Sequence, residues 1–278
     1  MELWGSLEQV FNDQKDKIES LEVIERDSIP SEDDMSLEIG RWYRIRNVVS
    51  LYVDMEGSTK LTNERYIKTS AKMYEIFTGS LIKILKQEEL RAHFIDIKGD
   101  GGFALWRERF SSVKALLAAV TFKTFVEKHL KKFVKNSITD WEIASKIGIT
   151  KGIVLVKRVG ERNTKDKKYN WAVWAGKPVN ISAKLSDISE GDTVLVTDDV
   201  FQDFKSPKEL YDYLILSCGC DGKGNPTEEG PRPLWEEKSK LEEKFSTKVW
   251  ELKSKWCDIH GEKCINKVLE IIRKEDSQ

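Results

Sequence analysis

Apolar and polar positions alternate along the chain in two distinct periods, which predict a mixed set of helices and strands. Leu7, Val10, Phe11, Ile18 and Leu21 recur at helical spacing, so an amphipathic helix is expected over Leu7–Glu25. The polar stretch Ser28–Asp34, with Pro30 inside it, breaks the pattern and reads as a linker. Val48–Val53 is β-branched and aromatic, hence a strand. It runs directly into Asp54-Met55-Glu56-Gly57-Ser58-Thr59, a turn carrying helix-start residues. A long helix is predicted over Asn63–Gln87, with Ile67, Ala71, Tyr74 and Phe77 on one face. His93–Ile97 and Phe103–Trp106 flank Gly99-Asp100-Gly101-Gly102, the signature of strand, tight turn and strand.

Further along, Phe110–Phe133 predicts a second long helix, and Ile143–Leu155 a strand interrupted by Gly152. Gly160–Lys168 is polar and basic, the composition of a hairpin loop. Pro178–Leu185 starts a third helix, Thr193–Val196 is a strand, and Asp198–Phe204 a short helix. The order β-α-β-β-α-β followed by further α and β predicts an α+β fold, a split βαβ arrangement on an antiparallel sheet. Three regions are expected: an N-terminal helix and linker over 1–45, a central core over 46–204, and an extension over 205–278 packed on that core. A charged helix from about Gly261 to Lys274 closes the extension.

Composition narrows the function classes. The 278 residues carry a formal net charge of −1, with 40% hydrophobic and 33% charged residues. That balance gives no global field for nucleic acid or an acidic membrane surface, so no direct nucleic-acid or membrane partner is expected. Ala115–Val120 and Ile149–Val156 are the longest apolar stretches, far short of the roughly 20 residues that span a bilayer. With no basic, apolar leader and only four cysteines, a reduced, cytoplasmic protein is expected. His93 and His129 have no partner in view and read as packing or surface residues.

The candidate chemistry begins with two carboxylates. Asp54 ends one strand and Asp100 lies in the turn between two others. Either alone is most often a helix cap or turn residue. Together, on neighbouring strand ends of a split βαβ sheet, they suit Mg²⁺ or Mn²⁺, with phosphates and water completing the shell. Gly57 allows close backbone approach, so the N–H groups of Glu56–Thr59 suit a triphosphate, and Gly101 and Gly102 free the second turn. A second cluster lies in the tail, where Cys218, Cys220, Cys257 and Cys264, with His260 as a further ligand candidate, either hold a structural zinc or are free buried thiols.

Three segments resemble a known family. Asp54-Met55-Glu56-Gly57-Ser58-Thr59 is similar to the first metal motif of class III nucleotidyl cyclases, and Lys98-Gly99-Asp100-Gly101 to their second. Trp174–Lys184 resembles their segment that ends in a transition-state Asn and Arg, and the three stand in family order over Val48–Phe204. The resemblance implies a ferredoxin-like class III catalytic domain in which the ribose 3′-oxygen attacks the α-phosphorus and pyrophosphate leaves. It implies that Asp54, Met55 and Asp100 hold two divalent ions, Mn²⁺ or Mg²⁺, that Glu56, Gly57, Ser58 and Thr59 take the triphosphate, and that Asn180 and Lys184 act catalytically. Sites of this family form between two subunits, so a homodimer with two equivalent sites is implied. Trp171–Trp174 fits either that interface or an ordinary buried strand.

Three departures from the purine cyclases bear on the base. Asp96 stands four residues before Asp100, where adenylate cyclases carry Lys and guanylate cyclases Glu. Val173 replaces a common Asp, and Lys184 an Arg, which loses the planar bidentate fork. Tyr52 shares a face with Asp54 and either fills the space left by a smaller base or is a core aromatic. With Gly40–Arg44 and Trp256–Gly261, these features resemble the pyrimidine cyclases of bacterial Pycsar antiphage defence. The resemblance implies conversion of UTP to cyclic UMP, with Tyr52 and Asp96 at the substrate and a separate effector that reads the product. Its alternatives are a cytidylate cyclase, a purine cyclase and an inactive cyclase-like regulatory domain. A diguanylate cyclase or polymerase palm shares the sheet but fits Val179–Lys184 less well.

Overall fold

The computed structural model describes residues 7–18, 21–31, 33–35, 40–61, 67–137, 141–160 and 170–277. In chain order the first elements are α1 (Leu7–Ile18), β1 (Glu22–Arg26), β2 (Arg41–Glu56), α2 (Ser58–Leu61) and α3 (Ile67–Leu85). Then come β3 (Phe94–Lys98), β4 (Gly101–Trp106), α4 (Ser111–Phe125), a π-helical turn over Val126–Leu130, and α5 (Lys131–Ser137). β5 (Ala144–Gly160), β6 (Asn170–Ala175), α6 (Lys177–Ile188), β7 (Thr193–Thr197) and α7 (Asp198–Asp203) follow. The tail holds α8 (Tyr211–Leu214), β8 (Trp235–Glu237), α9 (Glu242–Phe245), β9 (Val249–Leu252) and α10 (Gly261–Asp276).

The fold is built on the antiparallel pair β2 and β5, whose ladder runs from Tyr43↔Val156 to Glu56↔Ala144. Around them the sheet order is β3-β4-β2-β5-β7-β9-β8, with β1 beside the first half of β2 and β6 beside the last part of β5. Val49, Leu51, Val53 and Met55 alternate onto one face of β2 and are buried with Met73, Phe77 and Leu81 of α3 and with Val113 and Ala115–Val120 of α4. Helix α4 is buried on nearly every side, and its buried polar residues are paired: Ser112 donates to Asp203, Thr124 to the Val120 carbonyl, and Lys123 meets Glu127. Ser50, Tyr52 and Asp54 point to the opposite face, which α6 covers.

Helix α6 lies unusually close to the strands. A Cβ on Gly148 of β5 would sit 2.2 Å from the Ser182 carbonyl oxygen, and one on Gly152 3.0 Å from the Pro178 ring. Only a residue without a Cβ admits the helix backbone at that distance. Small hydroxyls tie the seam: Ser50 Oγ and Ser182 Oγ share a buried hydrogen bond of 2.9 Å, and Ser186 Oγ donates to the Lys146 carbonyl at 2.8 Å.

Several expectations need correction. The first helix stops at Ile18, and Glu22–Arg26 is a strand that pairs in parallel with Arg41–Ile45. The β-branched Val23-Ile24 suits the ladder better than a helix, and Arg44 and Arg46 hold Glu25 across it. The strand expected at Val48 starts at Arg41, because a bulge between Ile45 and Val48, with Asn47 at φ 56°, bends the strand without ending it. On α3 the buried stripe is Ser70, Met73, Phe77, Leu81 and Ile84, while Ile67 and Ala71 are exposed. The small polar Ser70 disguised that stripe. Parts of the helix expected over Asn63–Gln87 and of the Gly160–Lys168 loop, residues 63–66 and 161–168, lie outside the described residues.

The tail does more than lie on the core: β9 pairs with β7 and β8 with β9, so it lengthens the sheet by two strands. Val268, Leu269 and Ile272 of α10 are buried in the same cluster as β2 and α4. Trp171 is largely exposed at 58%, whereas Trp174 is buried against Phe94 at a ring separation of 4.6 Å. His93 accepts the Arg107 backbone N–H through Nδ1, and His129 stacks on Phe125. Among the described residues, no helix is long and apolar enough to cross a membrane.

Candidate active site

The site is assembled from cross-strand rows on the α6 face of the sheet. Asp96 of β3 pairs with Phe103 of β4, Phe103 with Tyr52 of β2, and Tyr52 with Gly148 of β5. Directly opposed residues share a face, so Asp96 and Tyr52 flank Phe103 in one row. The next row runs from Lys98 and Gly101 past Asp54 to Lys146. Asp100 occupies the two-residue connection between β3 and β4, beside Gly99 at φ 61°. A left-handed residue at that point lets the chain reverse in so short a link.

Gly101 brings the two carboxylates together. A Cβ there would lie 2.3 Å from the Val53 carbonyl oxygen and 3.1 Å from Asp54 Oδ1. The turn that carries Asp100 is therefore pressed against the end of β2 that carries Asp54. Burial first, and then the Asp100 charge, raise the Asp54 carboxyl above its ordinary range, with Lys146 pulling the other way. Burial likewise raises the Tyr52 hydroxyl, followed by the charges of Asp54, Asp100 and Asp96. The four side chains thus share one electrostatic neighbourhood. Two half-buried, mutually repelling carboxylates form a donor set that a hard divalent cation fits, since its charge relieves the repulsion.

The remaining expected residues fall in defined places. The Met55 side chain is buried on the opposite face, so only its backbone can face an ion. Gly57 adopts φ 82° and its carbonyl accepts the indole N–H of Trp141 at 2.9 Å, which fixes the turn from β2 into α2. Ser58 opens α2 and hydrogen-bonds the Tyr74 hydroxyl, and Thr59 follows it. Glu56 turns away: a Cβ on Gly191 would lie 2.0 Å from its Oε2. Asp96 pairs with Lys98 at 3.0 Å. A small cavity beside them is lined by Phe94, Asp96, Lys98, Arg158, Trp171 and Ala172.

Asn180 and Lys184 lie on the exposed side of α6, one turn apart, while Pro178, Ser182, Leu185 and Ser186 are buried on its other side. Within one chain they face away from the sheet that bears the aspartates. Sequence reasoning missed Lys146 and Tyr74. Lys146 neighbours Asp54 on β5, and its one outward signal is a charge inside an apolar β run. Tyr74 was read as a packing residue, yet burial and then the Asp100 charge raise its hydroxyl, with Asp54 adding to the shift.

In the tail, Cys218, Cys220, Cys257 and His260 bring their ligand atoms within 4.8 Å of one another. Cys264, expected in this set, is not among them. It lies a turn into α10, where its thiol is directed at the Tyr213 carbonyl at 3.5 Å and burial pushes it up to about 11. His260, immediately before that helix, takes its place.

No family model matches the chain. The chain is 32% identical over 265 residues to the uridylate cyclase of Propioniciclava tarda, which covers 92% of this chain and 80% of that protein. It is 30% identical over 243 residues to the uridylate cyclase of Micromonospora echinofusca, covering 85% and 73%. Among solved structures, the adenylyl cyclase CyaB from P. aeruginosa superposes with a TM-score of 0.55 at 15% identity, over 78% of this chain and 98% of that one. A dimeric guanylyl cyclase domain from Blastocladiella emersonii gives 0.53 at 12%, over 76% and 96%. The α+β fold is thus that of class III cyclase catalytic domains.

Proposed function

The chain belongs to the uridylate cyclase family, and on that premise we propose that it converts UTP to 3′,5′-cyclic UMP and pyrophosphate. The observation that carries this reading is the convergence of Asp54 and Asp100 on adjacent strand ends, pressed together at Gly101. These carboxylates, with the Met55 backbone, would hold two divalent ions, Mn²⁺ or Mg²⁺, which when bound neutralise the triphosphate and acidify the ribose 3′-hydroxyl.

The chain's own groups have separate tasks. The turn over Gly57–Thr59 presents backbone N–H groups and hydroxyls to phosphate oxygens. Asp96 and Lys98 set an acceptor beside a donor, which matches the adjacent N3–H and carbonyl oxygen on a uracil edge. Phe103 and Tyr52 fill the floor beside them, narrowing the space to a single ring. Asn180 orients the ribose and Lys184 offsets charge on the phosphorus oxygens, both supplied by a second copy, because α6 presents them outward. A homodimer then carries two equivalent sites. The cyclic product serves a separate effector in antiphage defence, a reading that rests on the resemblance to the Pycsar cyclases.

Incubation with each of the four nucleoside triphosphates and Mn²⁺, followed by chromatography, tests the assignment. Cyclic UMP with stoichiometric pyrophosphate is the expected product. Cyclic CMP as the main product would replace the substrate, and cyclic AMP would overturn the pyrimidine reading altogether.

A further inference from the structure

The segment Ser217–Pro233 is ordered without a core of its own. Gly219 alone among those residues is buried, yet the strand-like bridges Leu216↔Pro233 and Cys220↔Pro226 hold it in one shape. Asp221 adds local support, accepting the backbone N–H groups of Lys223 and Asn225. So little apolar burial does not by itself offset the ordering of that much backbone. At the base of this segment Cys218 and Cys220 meet Cys257 and His260, which arrive on the link between β9 and α10.

The spacing of these four groups is that of a coordination sphere. Cys218 and Cys220 sulfurs are 3.3 Å apart, Cys220 and Cys257 3.5 Å, and Cys257 Sγ lies 3.8 Å from His260 Nδ1. A tetrahedron with zinc–sulfur and zinc–nitrogen bonds of roughly 2.3 and 2.0 Å has edges of about 3.5–3.8 Å. All four cysteines are free thiols. Backbone groups also point at the sulfurs: the Cys220 N–H donates to Cys218, and the N–H groups of Ile259 and His260 donate to Cys257. Such donors fix the direction in which the sulfurs face.

Both turns are rigidly seated. Gly219, between the first two cysteines, adopts φ 68°, and a Cβ there would lie 2.7 Å from the Gly230–Pro231 backbone. A Cβ on Gly261, after the histidine, would lie 2.8 Å from Trp256. Trp256 in turn is fixed to α4, its backbone and indole N–H groups donating to Thr124 and Thr121 at 3.0 Å. The second pair of ligands is therefore preorganised on the core, and the first pair hangs on the exposed segment.

We propose that Cys218, Cys220, Cys257 and His260 form a closed structural zinc site that clamps the Ser217–Pro233 segment to the start of α10. Three thiolates and one neutral imidazole take up the ion, and the thiol protons pass to solvent. No coordination position is left for water, so the site is structural and separate from the catalytic ions at Asp54 and Asp100.

The test is elemental analysis of the full chain, purified without chelator, beside Asp54→Ala, Cys257→Ser, His260→Ala and Cys264→Ser. Expected is about one zinc per chain in the unaltered, Asp54→Ala and Cys264→Ser proteins, and roughly tenfold less in Cys257→Ser and His260→Ala. Should the last two not fold, cobalt(II) exchanged into the unaltered chain decides. An intense tetrahedral d–d spectrum with sulfur-to-cobalt charge transfer supports the site. Zinc below about a tenth per chain, a cobalt spectrum without thiolate bands, or zinc lost from Cys264→Ser but kept in His260→Ala overturns it.

Discussion

Asp54, the proposed ion ligand, works against the stability of the chain that holds it. Its carboxyl is raised by burial and by Asp100, so the folded protein binds that proton more readily than the unfolded one. The group therefore favours folding below the ordinary carboxylate range, and that contribution is lost as pH rises through the raised value. At neutral pH and without divalent ions, Asp54→Asn removes a repelled charge and is expected to raise the melting temperature by about 1–2 °C. The same variant is expected to lower turnover by about 10³-fold or more, since no ion is then held beside the 3′-hydroxyl. At limiting divalent ion, activity should fall on acidification at a higher pH than a free carboxylate would dictate, because the proton competes with the ion for the raised Asp54 carboxyl. A Tm that drops in Asp54→Asn would contradict the electrostatic account. At this scale Asp54 and Asp100 were legible because glycines mark both turns. Lys146 and Tyr74 were not, because a charge in a strand and a tyrosine in a helix carry no positional signature until the register is known.

At the scale of elements, the site depends on two places where backbone meets backbone. Gly101→Ala would drive a methyl group against the Val53 carbonyl and push the β3–β4 turn off β2. It should cut turnover sharply while the far-UV circular dichroism stays unchanged, as the strain is confined to one turn. Gly148→Ala is the structural counterpart, placing a Cβ 2.2 Å from the Ser182 oxygen under α6. A loss of about 2–3 kcal/mol in denaturant unfolding is expected there, and an unchanged midpoint would show that α6 rides higher than described. Element type and order were readable from periodicity for β3, β4, α6 and β7. The N-terminal strand was hidden by helical spacing that happened to continue through Leu21, and the early start of β2 by the bulge at Asn47, since neither a parallel partner nor a bulge is written in local composition.

For the whole molecule, the placement of Asn180 and Lys184 on the outer side of α6 divides each proposed site between two chains. An equal mixture of Asp54→Ala and Asn180→Ala proteins should therefore regain about a quarter of full activity, because half the dimers are mixed and each has one intact site of two. Asp54→Ala with Asp100→Ala should regain nothing, since both losses fall in the same half. No recovery in the first mixture would place the whole site within one chain, and recovery in the second would mean that Asp54 and Asp100 serve a site from different chains.

The sheet order adds a consequence for how such enzymes diversify. Of the proposed ion-holding carboxylates, Asp54 is anchored on β2, which has partners on both sides, and Asp100 on the turn pressed against it, whereas Asp96 and Lys98 sit on β3, which among the described residues pairs with β4 alone. A replacement on a strand with one ladder disturbs that ladder alone, so on the proposed assignment base preference is free to drift there while the Asp54 end stays locked between two ladders.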